Sequence, residues 1–423
     1  MTHATETDGR IVVDFDHHSE EFKARPVAVG HELRSRCPVT WSTAYDGFWV
    51  VTGYEEATTA ARNTETFTSW KDVPAGSGPC IGANLPDVNP AFRQGFAEMD
   101  GAMHKATRQP LMRWFTPKAT EQLRPEVQHY TTWCIDQIIE RGSAELVDEL
   151  TGPVPALLAL RLLGLPMKDW RRFADVAHKV FYTVPNTPAF FELMETHGWL
   201  ETQMREAIQA RRKQPTDDII SAIANIEFEG DLLPMADAMG CVQLLLFGGV
   251  DTTTNLLASA LVHLDEDREA RRWLTEDLSR LPRACEEFLR MSTPVQGVAR
   301  TVMEPATLGG QKLELHDRVW LGLLAANHDP GEFEDPDVVK LDRSPNRHAA
   351  FGMGAHRCLG AATARMMFQV IMTEILTRIP DYTVDRARAE RYPSIGVING
   401  WSTVPVSFSP GPRIGAASEA PEL

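Results

Sequence analysis

The chain lacks a run of apolar residues approaching the roughly 18 that a membrane span requires. Its most apolar stretches, residues 154–165 and 241–250, are short and interrupted by Arg161 and Gln243. The opening MTHATETDGR also lacks the charged start and apolar core of a secretory signal, so a soluble, cytoplasmic protein with no membrane association is expected. Positive charge is scarce. Forty-two Lys and Arg stand against 58 Asp and Glu, a formal net charge of −16, which argues against nucleic acid as a partner. Cysteine is sparse too: Cys37, Cys80, Cys134, Cys241, Cys285 and Cys358 show no CxxC spacing. They read as reduced thiols, not a disulfide frame or a zinc site. No Pro/Gly/Ser-rich linker, charge block or internal repeat divides the 423 residues. One large domain over residues 11–410 is therefore expected, with residues 1–10 and 411–423 as disordered ends.

What is present is mostly helical pattern with marked interruptions. Residues 39–52 hold two aromatic and β-branched runs split by Asp46-Gly47, a hairpin signal, and residues 53–56 open a short helix. Residues 71–101, rich in Pro and Gly, form a long irregular segment of the kind that is usually functional in a compact domain. His104 and Arg108 then stand at i, i+4 on one helix face. They could grip a carboxylate together, the ordinary alternative being a solvated basic face. Residues 119–213 read as helices broken at Gly152-Pro153, Pro166, Pro185 and Pro188.

The longest apolar helical pattern, residues 235–263, contains Phe247-Gly248-Gly249-Val250-Asp251-Thr252-Thr253-Thr254. Each interior glycine costs roughly 1 kcal/mol against alanine, and threonines that bond back to the i−4 carbonyl bend a helix. Such penalties point to a groove with a hydroxyl and a carboxylate beside it, or to a notch where another helix packs. Further on, Glu287 and Arg290 stand at i, i+3, a pair that contributes only about 0–1 kcal/mol if exposed.

The densest signal is Phe351-Gly352-Met353-Gly354-Ala355-His356-Arg357-Cys358-Leu359-Gly360. Glycines crowding a lone cysteine suit a backbone wrapped closely around a bulky flat ligand. A thiolate in such a loop can act as an electron-donating axial ligand to haem iron. The plain alternative is a buried structural cysteine beside a glycine-rich turn.

This segment resembles the cysteine loop of the cytochrome P450 superfamily, F-G-x-G-x-x-x-C-x-G. The stretch Gly248–Thr252 is similar to that family's [AG]-G-x-[DE]-T signature, and Glu287-Phe-Leu-Arg290 to its E-x-x-R. The resemblance implies a mainly α fold with small β-sheets, a single triangular haem domain, and monooxygenase activity with O2. It implies haem b with Cys358 as axial ligand and with Phe351, Gly352 and Gly249 against the cofactor. His104, Arg108, Arg300 and His356 would hold its propionates. Thr252 and Asp251 would manage the protons that O–O cleavage consumes. Glu287, Arg290 and Arg343 would be structural. Substrate would meet Phe92, Phe96, Leu244, Phe247, Gly248, Val295, Gln296, Val298, Val397 and Ile398.

Residues 239–257 are particularly similar to the soluble camphor-hydroxylating branch of bacterial members. That branch implies a small lipophilic, terpenoid-like substrate and a monomeric enzyme. It also implies electrons from a [2Fe-2S] ferredoxin and an NAD(P)H-dependent ferredoxin reductase, with Arg113 and Lys118 at the docking surface. The tyrosine which that branch uses to bond a ketone falls at Phe92 here, so shape would position the substrate. A peroxygenase or isomerase on the same fold generally lacks the acid–alcohol pair. A haem-thiolate gas sensor would carry a fused signalling module, and neither feature fits this chain.

Overall fold

A computed structural model of the protein describes residues 4–7, 9–71, 80–86, 93–181, 183 and 187–415. Helices dominate it, and one seven-stranded sheet forms a side wall. The strands are β1 (Ala4–Thr7), β2 (Arg10–Val13), β3 (Val39–Ser42), β4 (Phe48–Val51), β5 (Phe67–Thr68), β6 (Gly297–Val302) and β7 (Arg318–Gly322), in spatial order β1-β2-β3-β4-β7-β6-β5. The hairpin β3–β4 forms as the aromatic alternation predicts, with Trp41 opposite Trp49. Its connection is longer than a two-residue turn, because Tyr45, Asp46 and Gly47 all adopt positive φ. Strand β7 runs parallel to β4 and antiparallel to β6, which carries Val298 and Arg300 to the inner edge.

The expectation of disordered ends needs correction at residues 4–7 and 411–415. Ala4–Thr7 pairs antiparallel with Arg10–Val13; Thr-rich sequence favours a strand, and Gly9 at φ 75° makes the turn. At the other end Asp136 captures the backbone, accepting from Ile414 N at 3.2 Å and Gly415 N at 2.7 Å. Residues 1–3 and 416–423 lie outside the described residues.

Eight helices matter for the site: α1 (Tyr54–Arg62), α2 (Gly101–Arg108), α3 (Pro153–Leu163), α4 (Trp170–Lys179), α5 (Pro188–Lys213), α6 (Met235–Glu266), α7 (Leu281–Ser292) and α8 (Ala361–Arg378). Gly164, left-handed at φ 73°, ends α3, and the Thr187 hydroxyl caps α5 by accepting from Phe190 N. Helix α6 is the axis of the domain, packed against α3, α4, α5, α7 and α8. By length and composition it could cross a membrane, contrary to the expectation that no such stretch exists. Small Gly, Ala and Thr residues lengthen its apolar window, and 72% of that window is buried inside the fold, which marks α6 as a core helix.

The ion pair read as weak if exposed is fully buried instead. Arg290 grips Glu287 through Nε–Oε2 at 2.9 Å and Nη2–Oε1 at 2.8 Å. Arg343 Nε reaches both carboxylate oxygens at 3.1 Å, and the Lys340 N–H and Asn346 Nδ2 complete the shell. Burial works to raise the Glu287 carboxyl. Arg290, the Lys340 N–H and Arg343 outweigh it and hold the group below its ordinary range.

Candidate active site

The loop before α8 is built around its glycines. Gly352 and Gly354 take φ 66° and 68°, which L side chains rarely adopt. A Cβ at Gly354 would also stand 2.6 Å from the Ala61 carbonyl oxygen in α1, so the loop lies directly on that backbone. The Cys358 N–H donates to Phe351 O at 2.7 Å and closes the turn. Arg365 of α8 lies 4.5 Å from the Phe351 ring centroid and pairs with Glu286 of α7 at 2.6 and 2.7 Å. Cys358 is accessible, but to an interior cavity and not to the outer surface. Burial pushes its thiol up, while the Gly360 N–H, Arg108, Arg365 and Arg357 oppose that shift.

The cavity holds about 320 Å³ and lies between this loop and α6. On its α6 side stand Leu244, Gly248, Gly249 and Thr252. A Cβ added at Gly248 or Gly249 would meet nothing within 4 Å. That excludes the helix-packing notch at these two positions; the open side is cavity. Close packing occurs elsewhere on α6, at Gly240, whose Cβ would stand 2.9 Å from Arg93 O. The Thr252 hydroxyl donates to Gly248 O at 2.9 Å, the expected back-bond, yet α6 runs on without a break.

Cations gather at one edge. Arg108, Arg300 and His356 line the cavity, and His104 is buried beside them, its ring 4.5 Å from that of His356. Arg300 donates from Nη1 to Ala299 O at 2.6 Å, but its buried Nε has no partner. Burial brings it down to about 10, against the pull of Asp100. The buried Nε2 of His104 is likewise without a partner, and burial, His356 and Arg108 push that imidazole down to about 4. His356 is engaged differently, with Nε2 bonded to Asp100 Oδ1 at 2.7 Å. Asp100 also accepts from Thr68 Oγ1 and Ser69 N, each at 2.6 Å. Sequence reasoning missed it. Asp100 stands at the N-cap of α2, but its side chain makes no capping bond there; its partners lie more than 30 residues away along the chain.

Phe96, Leu244, Gly248, Val295 and Val298 line the cavity, as do Phe351 and Gly352. Four other predicted pocket residues do not. Phe247 turns toward Phe181 and His197, with ring centroids 6.4 Å away in both cases. Gln296 is fully buried outside the lining, with both side-chain polar atoms unpartnered. Ile398 bridges Val295 and, with Val397, packs into the apolar cluster behind it. Residues 295 and 296 precede β6, which begins at Gly297, and Val295 bridges Ile398 there, a pairing that a linear motif does not reveal. Phe92 lies outside the described residues. Asp251 also stands apart from the cavity, fully buried against His178 and Tyr392.

The family model for cytochrome P450 matches residues 173–380. Cytochrome P450 130 of Mycobacterium tuberculosis is 31% identical over 348 residues, covering 81% of this chain and 84% of that protein. The chain belongs to the cytochrome P450 family. Steroid C26-monooxygenase of Mycolicibacterium smegmatis is 29% identical, covering 86% of this P450 and 88% of its own length. Among solved structures, Mycobacterium marinum cytochrome P450 CYP268A2 in complex with pseudoionone superposes with a TM-score of 0.83 at 27% identity, covering 93% and 99% of the two chains. The mainly helical fold with small sheets is that of the P450 family. Membership brings monooxygenase activity, haem iron with a cysteine thiolate, dioxygen, a redox partner and an organic substrate.

Proposed function

We propose that Cys358 is the axial thiolate of a b-type haem held between α6 and the cysteine loop, in an enzyme that hydroxylates a small lipophilic, terpenoid-like compound. The observation that carries this reading is the accessible sulfur of Cys358 inside a cavity whose other wall is glycine-opened. The residues present fit the group. A flat dianionic ligand would satisfy the orphaned buried donors His104 Nε2 and Arg300 Nε by charge-assisted hydrogen bonds. Arg108 and His356, which line the same cavity, would complete the propionate set, and Phe351, Gly352 and Gly249 would lie against the ring.

When bound, the haem supplies the activation of dioxygen. The chain's own residues do the rest. Gly248 and Gly249 leave room beside the Thr252 hydroxyl, which holds or passes a proton there, and Asp251 is the acid that resupplies it. Leu244, Val295, Val298 and Phe96 offer an apolar wall that selects by shape and excludes water. Glu287, Arg290 and Arg343 are structural. Electrons come from a [2Fe-2S] ferredoxin and an NAD(P)H-dependent reductase to a monomeric cytoplasmic enzyme. The pseudoionone complex of the neighbouring structure supports a terpenoid-sized ligand, and the steroid-oxidising relative supports a larger one.

Two spectra test the reading. The reduced, carbonylated wild-type protein should show the red-shifted Soret band of a cysteinate-bound haem, and Cys358→Ser should lose it. Folded, haem-loaded wild type without that band would overturn the assignment. A low-spin to high-spin Soret shift with pseudoionone but not with testosterone would favour the smaller substrate class.

A further inference from the structure

We propose that Glu98 is a positioning residue for the substrate wall. Its buried carboxylate ties the backbone of Ala83 to that of Gln94 and thereby fixes where Ala83, Phe96 and Ala97 stand around the cavity. The inference rests on the reading of that cavity as the haem and substrate site.

Glu98 is 4% exposed and ends the short turn Gly95–Glu98. A glutamate is seldom buried to that degree unless its oxygens are engaged. Here Oε1 accepts from Ala83 N at 3.2 Å and Oε2 from Gln94 N at 2.8 Å. The two oxygens therefore hold the chain on both sides of residues 84–93. An ionised carboxylate only accepts, which suits two backbone donors arriving from separate segments, and such bonds are charge-assisted. Gly82 admits the group: it adopts φ 72°, and a Cβ there would collide with Glu98 Oε1. The close approach is thus written into the backbone next to Ala83.

Both tied segments are fastened elsewhere as well, so the carboxylate joins two fixed pieces of wall. On one side Ile81 N donates to Thr301 Oγ1 at 3.2 Å, and Ala83 O accepts from Ala299 N at 2.8 Å. Residues 81–83 therefore run beside β6, whose Val298 and Arg300 line the cavity. On the other side Gly95 has φ 49°, and a Cβ there would stand 2.6 Å from the Cys241 backbone in α6. With its floor on α6 and its end held to Ala83, the turn presents Phe96 and Ala97 to the cavity. Glu98 is not among the lining residues, so it acts on a bound molecule through these neighbours. Glutamine in its place would keep one acceptor oxygen and turn an NH2 group toward the other donor; alanine would keep neither.

Two measurements on the haem-loaded full chain test this. The first follows amide hydrogen exchange by NMR in the diamagnetic ferrous carbonyl protein, with alanine and glutamine isotope-labelled. In the wild type the Ala83 and Gln94 amides should exchange at least about 100-fold more slowly than open-loop amides. Glu98→Ala should remove the protection of both and Glu98→Gln that of one, while Ala258 and Ala260 of α6 keep theirs. The second titrates two iron-binding azoles by the Soret shift. Imidazole is the control for the haem itself and should bind within about twofold of wild type in every variant, whereas 4-phenylimidazole, which reaches the wall, should weaken about tenfold in Glu98→Ala and about threefold in Glu98→Gln. A role confined to overall stability would instead speed exchange in α6 and weaken both azoles alike, which would overturn the proposal. Unprotected Ala83 and Gln94 amides in the wild type would overturn it too, whether or not any variant folds. So would wild-type affinity for 4-phenylimidazole in folded Glu98→Ala. If the wild-type protein takes up no haem, the underlying reading of the cavity fails instead.

Discussion

Glu287 and Arg290 meet in a fully buried two-point ion pair, with Nη2–Oε1 at 2.8 Å and both side chains at 0% exposure. Arg290 also donates to the carbonyls of Asn327 at 2.9 Å and Pro336 at 2.6 Å, so this one side chain joins α7 to the segment that precedes the cysteine loop. Glu287→Gln would leave Arg290 and Arg343 without their counter-charge. A loss of about 3–5 kcal/mol in folding free energy is expected, read by urea denaturation. The sign of the pH effect follows from the depressed Glu287 carboxyl. Its contribution is present above the unfolded carboxyl value and is lost as pH falls below it, because the unfolded chain then binds the extra proton.

His17 behaves in the opposite chemical sense. Its Nε2–H donates to Leu85 O at 2.6 Å, its Nδ1 is buried and unpartnered, and its ring stacks on Trp320 at 5.1 Å. Burial and the neighbouring His18 bring the imidazole from 6.5 down to about 4. The unfolded chain takes up this proton as pH falls through 6.5 and the folded chain resists until about 4, so stability declines across that window. Between pH 7 and pH 5 the loss from this group is about 2 kcal/mol. His17→Gln, which keeps a donor for Leu85, should remove that part of the pH dependence in denaturation curves at the two pH values.

Gly249 separates stability from function. Its Cβ position is open, so Gly249→Ala should stabilise the fold by about 0.5–1 kcal/mol through helix propensity. The added methyl would project into the space beside Thr252. A raised melting temperature together with weakened carbon monoxide binding and lower turnover is the expected combination, checked by calorimetry and flash photolysis.

Arg300→Leu should act mainly on cofactor retention. The replacement removes a buried charge that has no carboxylate bonded to it, so the haem-free protein should lose little stability. Release of haem to apomyoglobin should accelerate by about 10- to 100-fold, the equivalent of a charged hydrogen bond of about 1.5–3 kcal/mol.

The parts of this site that were legible in the sequence are those written within one turn or one loop. The glycines around Cys358, the spacing of His104 and Arg108, and the run from Gly248 to Thr252 carry their meaning locally, because backbone conformation and helix periodicity set it. The partners of those residues were not legible. Asp251 is held by His178, 73 positions earlier, and by Tyr392, 141 positions later, and no short-range pattern pairs them. The same holds for Asp100 with His356. Facing direction was the other loss. Gln296, Val397 and Ile398 neighbour lining residues but stay out of the lining themselves, and the bridge between Val295 and Ile398 joins positions far apart in the sequence. Residues 4–7 and 411–415 were misread because polar composition was weighed and backbone pairing was not.

The seat of the cysteine loop on α1 has its own consequence. Gly354 fits only because no side chain intervenes between it and the Ala61 carbonyl, so the ligand-bearing turn borrows its floor from a helix made nearly 300 residues before it. During synthesis that floor waits for the far end of the polypeptide to arrive. Cofactor capture therefore belongs to the finished chain, and no C-terminal fragment carrying the cysteine alone would reproduce it.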